Sequence, residues 1–230
     1  MNHILDLVAA REKDFPAALL EARKILRARV EGPHLDSQGD GEDLSLLAEI
    51  HYWLGVLSED GRQKEDFLAG GVECGKTAAT VAPDSVSANF WYASCMAAHS
   101  RELGMTNCLF YLDPVELHGN LALEIDETYC NAGPLRLMGR FYSTAPVPPV
   151  GPGNRKKAME LARRAFELEP GYLGNKIVLA HACLSGRYFE KSRRLALEVL
   201  SASKPAGHSL SQARFMAEAR QILDRLEKME

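Results

Sequence analysis

The stretch Asn154-Arg155-Lys156-Lys157-Ala158-Met159-Glu160-Leu161-Ala162-Arg163-Arg164-Ala165-Phe166-Glu167-Leu168-Glu169-Pro170 decides how the rest of the chain is read. Ala158, Leu161, Ala162, Ala165 and Leu168 fall on one side of a helix, with Lys156, Lys157, Glu160, Arg163, Arg164 and Glu167 opposite. Glu160 stands four residues before Arg164, the favoured order for a helical ion pair worth about 0.2–0.5 kcal/mol. Most of the apolar side is alanine, and side chains that small, repeated on one face, let a second helix axis approach closely. Pro170 then stops the helix, because proline disfavours helical geometry in the residue before it.

The same arrangement recurs upstream. Ala78, Ala122 and Ala165 each stand five residues before Pro83, Glu127 and Pro170. Three and seven positions before each alanine lie Gly75 and Gly71, Gly119 and Val115, and Ala162 and Ala158. A repeated unit of two antiparallel helices with a hard stop accounts for this spacing. Further hairpins are expected from Ile4–Arg11 with Phe15–Val30, and from Leu44–Ser58 with Glu65–Val81, Gly61 ending the first helix of the latter. Ser85–Leu103, stopped by Gly104, pairs with Pro114–Ile125; Gly133–Tyr142 pairs across the loop 143–153 with 154–169. Leu173–Leu184 turns at Gly186 into Glu190–Leu200, closed by Pro205. A last helix opens on a Ser209/Gln212 capping box and carries one apolar stripe, as the end of a repeat array should. The segment Glu31–Asp43 reads as a loop, and no stretch alternates like a strand. The expected fold is an all-α solenoid of helix hairpins over 1–230, with an irregular start (1–43), core repeats (44–205) and a capping helix (206–230).

The 230 residues are 46% hydrophobic and 25% charged, enough for a substantial core. A net charge of −4 argues against nucleic acid as a partner. No apolar run reaches the roughly 20 residues of a membrane span. No secretory signal is visible in residues 1–10, so the expected compartment is cytoplasmic, or periplasmic if a leader or lipid anchor has been removed. The five cysteines are odd in number and set among apolar neighbours, which reads as free thiols.

No motif for catalysis, metal or cofactor stands out, and no enzymatic activity is expected. Seven histidines are scattered without metal-ligand spacing and read as surface or groove residues. Gly70-Gly71-Val72-Glu73-Cys74-Gly75-Lys76-Thr77 ends like a phosphate loop but lies inside a helical repeat. Gly71 and Gly75 there are read as helix-packing positions. The better candidates are polar-aromatic residues on the first helices of hairpins, which line the inner face of such arrays: Trp53, Asn89, Trp91, Tyr92, Arg136, Arg140, Tyr172 and Asn175. Arg136 and Arg140 share a helical face and are spaced to clamp a carboxylate. Trp and Tyr fill seams between repeats at least as often as they bind. Arg187, Lys191, Arg193 and Arg194 read as a solvated basic face, or as a dock for an acidic partner.

The placement of Gly, Tyr and Ala in Leu179–Ser192 and Ala158–Pro170 resembles the tetratricopeptide repeat (TPR), which implies paired, stacked helices. Pro170 to Pro205 spans 35 residues, near the family period of about 34, whereas Pro83 to Glu127 and Glu127 to Pro170 span 44 and 43. The phrase Gly133-Pro134-Leu135-Arg136-Leu137-Met138-Gly139-Arg140-Phe141-Tyr142, with Ala145-Pro146 and Asn89-Phe90-Trp91-Tyr92-Ala93, is similar to the T component of tripartite ATP-independent periplasmic (TRAP) transporters. That fold is shared with the regulator-of-microtubule-dynamics proteins. The resemblance, over about residues 45–205, implies a ligand- or partner-binding accessory protein facing the periplasm, of a kind often lipid-anchored and homo-oligomeric; the leading expectation is that a concave groove takes up a small ligand or a protein or peptide partner. The alternative is an assembly scaffold with no small-molecule site.

Overall fold

The computed structural model describes residues 2–10, 14–30, 38–103, 109–202 and 209–229. Gly104, Pro205, Cys108, His34, His208 and the side chain of Ser209 lie outside the described residues. The chain divides into two compact units, Met1–Asp126 and Glu127–Glu230. Every regular element among the described residues is helical.

Unit 1 contains α1 (Asn2–Ala9), α2 (Ala17–Val30), α3 (Gln38–Leu57), α4 (Gly61–Val81), α5 (Val86–Glu102), a short 3₁₀ turn (Leu109–Tyr111) and α6 (Leu112–Ile125). Each helix packs on the next, and α3 also touches α5, so first helices of successive hairpins are neighbours. Unit 2 repeats the plan with α7 (Tyr129–Thr144), α8 (Arg155–Leu168), α9 (Leu173–Ser185), α10 (Phe189–Ser201) and α11 (Ser209–Glu227). There α9 packs on α7, α8, α10 and α11.

The three small-residue triplets sit where the sequence pattern placed them. Gly71, Gly75 and Ala78 on α4, Val115, Gly119 and Ala122 on α6, and Ala158, Ala162 and Ala165 on α8 are all buried. A Cβ added to Gly75 would lie 2.7 Å from the Cα of Tyr92, and one on Gly71 2.7 Å from Cys95 Sγ, so α4 and α5 meet nearly backbone to backbone. In unit 2, a Cβ on Gly139 would lie 3.2 Å from the backbone nitrogen of Ala162, so α7 also comes close to the α8 backbone there. The last alanine of each triplet has a second role. Its carbonyl accepts the N–H that closes the helix, from Ala82 (2.8 Å), Asp126 (3.1 Å) and Glu169 (3.1 Å).

Local signals fix the helix starts. Asp60 caps α4 by accepting from the Gln63 amide (2.8 Å), Ser85 caps α5 through Ala88, and Asn154 caps α8 through Lys157 (3.0 Å). Gly61 is therefore the first residue of α4 and not the end of α3; Asp60 overrides the glycine as the boundary marker. The expected loop 31–43 gives way to helix at Gln38. Gly41 is helical because its missing side chain lets Ala82 approach, and Asp43 because it pairs inward with Arg29 at 2.8 Å. The expected Glu160–Arg164 pair is replaced as well. Arg164 reaches Glu127 at 2.6 Å, while Glu160 lies 4.0 Å from Lys156.

The α4 contact predicts opposite outcomes at two glycines. Gly75→Ala, forced against the Tyr92 backbone, should lose about 1–3 kcal/mol in urea unfolding. Gly61→Ala, with nothing within 4 Å of the new methyl group, should gain about 0.4–1 kcal/mol.

Candidate functional site

In unit 1, Trp53 and Trp91 come from adjacent first helices and meet edge to face at 6.3 Å, with Tyr52 against both rings and Phe90 4.8 Å from Trp91. Both tryptophans are buried, and the Trp53 indole donates to Glu49 (3.2 Å). They form the seam between α3 and α5. Asn89 is fully buried, its amide donating to the carbonyls of Pro83 (2.7 Å) and Ser85 (2.9 Å). Its side-chain oxygen accepts from His118 Nδ1 at 2.7 Å. Tyr92 is half-buried and meets His118 edge to face, with ring centroids 4.7 Å apart. Next along the α5–α6 seam, His99 Nδ1 lies 3.1 Å from the Tyr111 hydroxyl.

The histidine at the centre of unit 1 is His51, a core residue. Gly70 makes room for it, since a Cβ there would lie 2.6 Å from the ring. Its Nδ1 donates to the Phe67 carbonyl (3.0 Å), and its Nε2 accepts from Arg23 Nε on α2 (3.0 Å). That pair of bonds requires the neutral ring. Burial is the main cause that pushes its pKa down to about 4, and the positive charges of Arg23 and Arg27 push the same way against the Phe67 carbonyl.

In unit 2, α7 opens with Cys130, Asn131 and Ala132 in left-handed geometry (φ 52°, 56° and 60°) before Gly133 and Pro134 start the right-handed helix. Left-handed geometry costs a residue with a Cβ roughly 1–2 kcal/mol, so this turn must be held. Arg136 holds it, donating to the carbonyls of Asn131 (2.8 Å) and Cys130 (3.3 Å) and to Asn175 Oδ1 (3.0 Å). The Arg136 guanidinium also lies 4.7 Å from the Tyr172 ring, which in turn meets Phe215 edge to face. Asn175, fully buried, donates to the carbonyls of Asn131, Ala165 and Glu169 (3.0–3.3 Å). Asn89 and Asn175 thus play the same part in their units, bracing the turn between hairpins.

Arg140, one turn beyond Arg136, grips a carboxylate that belongs to the chain itself: Glu218 on α11. Arg214 lies 3.4 Å from the other Glu218 oxygen, and His181 Nε2, buried without a hydrogen bond, stands 3.6 Å away. Burial alone would raise the Glu218 pKa; the positive charges of Arg140 and Arg214 overrule it and hold the carboxyl well below its usual range. Burial lowers the His181 pKa, so its ring is neutral at pH 7. The two arginines expected to clamp together do different work, Arg136 on backbone carbonyls and Arg140 on Glu218. Sequence reading missed Glu218, His181 and Arg214. Glu218 sits three residues after Phe215 and four before Ile222, so a lone acid inside the apolar stripe of α11 is the signal that marks it.

Cys74, Cys95, Cys130 and Cys183 are thiols not joined in disulfides, and burial raises the pKa of Cys74, Cys95 and Cys183, which makes those three poor nucleophiles. Among the described residues no cluster of three or more His, Cys, Asp and Glu is placed to hold a metal, and no helix is long and apolar enough to cross a membrane.

These features define an all-α helical repeat of the tetratricopeptide type. The chain is similar to the crystal structure of a thermophilic TPR protein from Thermus thermophilus, with a TM-score of 0.61 over 89% of this chain and 92% of that one. Identity is 20%, so the likeness shows the fold alone. No protein-family model and no curated protein matches the sequence.

Two tests address the internal braces. Between pH 6.5 and 4 the unfolded chain takes up a proton at His51 that the folded chain refuses, so stability falls with falling pH. By pH 5 the loss from this group is about 2 kcal/mol. His51→Gln should unfold more easily at pH 7.5 but lose that component of the pH dependence in parallel urea titrations. Ala132→Gly should relieve the left-handed turn and leave stability unchanged or raised by up to about 1 kcal/mol, whereas Arg136→Ala should lower it by about 1–3 kcal/mol.

Proposed function

We propose that the protein is a non-catalytic binding module whose unit 2 face, formed by α7, α9 and α11, takes up a carboxylate-bearing segment of a partner protein or peptide. The observation that carries this reading is the Arg140–Glu218–Arg214 cluster. A half-buried arginine pair beside an unpaired histidine nitrogen is already fitted around a carboxylate, and charge-assisted pairs of this kind are strong and selective. Glu218 acts as a placeholder that an incoming acidic side chain or chain terminus replaces. Tyr172 and Phe215 flank the cluster with an aromatic surface. Of the eight candidates, Arg140 and Tyr172 serve this face directly. Arg136 and Asn175 support it by holding the turn before α7. Trp53, Asn89, Trp91 and Tyr92 shape unit 1, where half-buried Tyr92 is the one left to meet a ligand.

A narrower reading rests on the resemblance of Gly133–Tyr142 to the TRAP T component: an accessory of a solute transport system that reads a small carboxylate ligand or a transporter subunit. A transporter subunit copurifying with the protein from its native cells would support it. The scaffold alternative, assembly without any small-molecule site, is favoured by the burial of Trp53, Trp91, Asn89 and Asn175, which leaves much of the aromatic and amide chemistry internal.

Oligoglutamate, with oligolysine as control, separates these readings in a thermal shift assay. Ligand binding to the folded state should raise the melting temperature. Glu218→Gln should respond to oligoglutamate more strongly than the parent protein, and Arg140→Ala should not respond. Equal responses in all three, or a response to oligolysine, would remove the cluster from any binding role.

A further inference from the structure

The connection between α7 and α8 is longer than its place in the fold requires. Two other hairpins turn in three residues, 58–60 between α3 and α4 and 186–188 between α9 and α10, whereas residues 145–154 separate α7 from α8. The extra length carries no charge: from Ser143 to Asn154 there is no Asp, Glu, Lys or Arg, in a chain that is 25% charged. Pro146, Pro148, Pro149 and Pro152 stand there instead. A surface loop this long and this apolar has a use beyond joining two helices.

Its base is closed and its tip is bare. The Gly153 amide donates to the Pro146 carbonyl (2.8 Å) and the Asn154 amide to the Tyr142 carbonyl (2.9 Å), which draws the two ends together. A Cβ on Gly153 would overlap the Ala145 carbonyl oxygen and lie 2.7 Å from that of Pro146, so only glycine closes this neck. At the far end the Val150 amide donates to the Val147 carbonyl (3.2 Å), a turn that leaves Val147, Pro148, Pro149 and Val150 all exposed. Val147 is 57% exposed and Val150 63%. Pro148 and Pro149 have no N–H, and among the described residues their carbonyls accept no hydrogen bond. The tip thus offers proline rings, valine methyl groups and two bare acceptors.

We propose that residues 147–150 form a docking knuckle that enters an aromatic-lined pocket of a partner protein, whose Trp N–H or Tyr O–H groups reach the Pro148 and Pro149 carbonyls. The inventory of donors and acceptors selects this partner. Aromatic faces match proline rings and valine methyl groups, and Trp and Tyr carry on the same side chains the donors that the two prolines lack. A lipid surface is a poorer match, because hydrocarbon would bury the two carbonyls unpaired. A charged pocket would find no counter-charge between Ser143 and Asn154. The closed base fixes the shape of the tip before contact, so little ordering entropy is lost on docking. The knuckle uses no residue of the Arg140–Glu218–Arg214 cluster and does not depend on the reading of that cluster.

Site-directed photocrosslinking on the full chain tests this. With p-benzoylphenylalanine in place of Val147, irradiation in the native cells should join the chain to one protein, and peptide mass spectrometry should place the bond in a pocket lined by Trp or Tyr. The same probe in place of Arg163, exposed on α8, should not give that product. The partner so identified, once purified, should bind the parent protein in calorimetry with an affinity that changes less than about twofold between roughly 0.05 and 0.5 M salt, since no charge takes part. Val147→Ser/Val150→Ser alters exposed positions alone and should keep the helical circular dichroism and melting temperature of the parent, yet weaken binding at least about tenfold. No crosslinked protein, crosslinks only to lipid or to a second copy of this chain, a pocket without Trp or Tyr, or equal binding by the double variant would each overturn the proposal.

Discussion

The closeness of helix axes at small residues is the constraint on which the other features depend. Where Gly75 meets the Tyr92 backbone and Gly139 meets Ala162, two helices approach until main chain faces main chain. Any side chain there holds them apart, and the seams around Trp53, Trp91 and His51 no longer close. The alanine that ends each triplet also receives the closing N–H of its helix. Packing and termination are thereby joined in one residue, which is why the triplet and the stop keep a fixed distance of five in all three copies.

Close packing leaves polar groups stranded in the turns between hairpins, and the chain meets this with buried amides. Asn89 and Asn175 each bind carbonyls of the preceding turn and an imidazole or guanidinium from a neighbouring helix. An unpaired buried polar group costs about 1–3 kcal/mol, so these residues are held by structure before any partner is considered. The same holds for Arg136, whose guanidinium offsets the strain of three left-handed residues. In unit 2 the charges of Arg140 and Arg214 are likewise met within the chain, by Glu218.

Most of the fold was legible because helical periodicity, small-residue spacing and proline stops all act locally. The boundaries that moved, Gly61 and the segment before Leu44, did so where a cap or a tertiary neighbour outranked glycine content. The candidate site was less legible. Residue type marked Trp53, Asn89 and Arg136 as potential readers of a ligand, yet partners distant in sequence decided their roles: His118 for Asn89, Asn131 and Asn175 for Arg136. The phrase Gly133–Tyr142, which carries the resemblance to the TRAP T component, is explained by packing. Gly139 admits α8, Phe141 and Tyr142 are buried, and the Tyr142 carbonyl receives the Asn154 amide at 2.9 Å. Glu218 was overlooked because an acid in an apolar stripe is informative only when its cationic partners are known.

The most direct measurement compares two substitutions adjacent in sequence, one at a buried and one at an exposed position of α8: Ala162→Leu and Arg163→Leu, each in urea unfolding. The account predicts that Ala162→Leu, driven between α7 and α8, loses about 1–3 kcal/mol, while Arg163→Leu on the exposed side stays within about 0.5 kcal/mol of the parent. Equal stability for the two, or a stabilised Ala162→Leu, would contradict the claim that small residues set the distance between the helices.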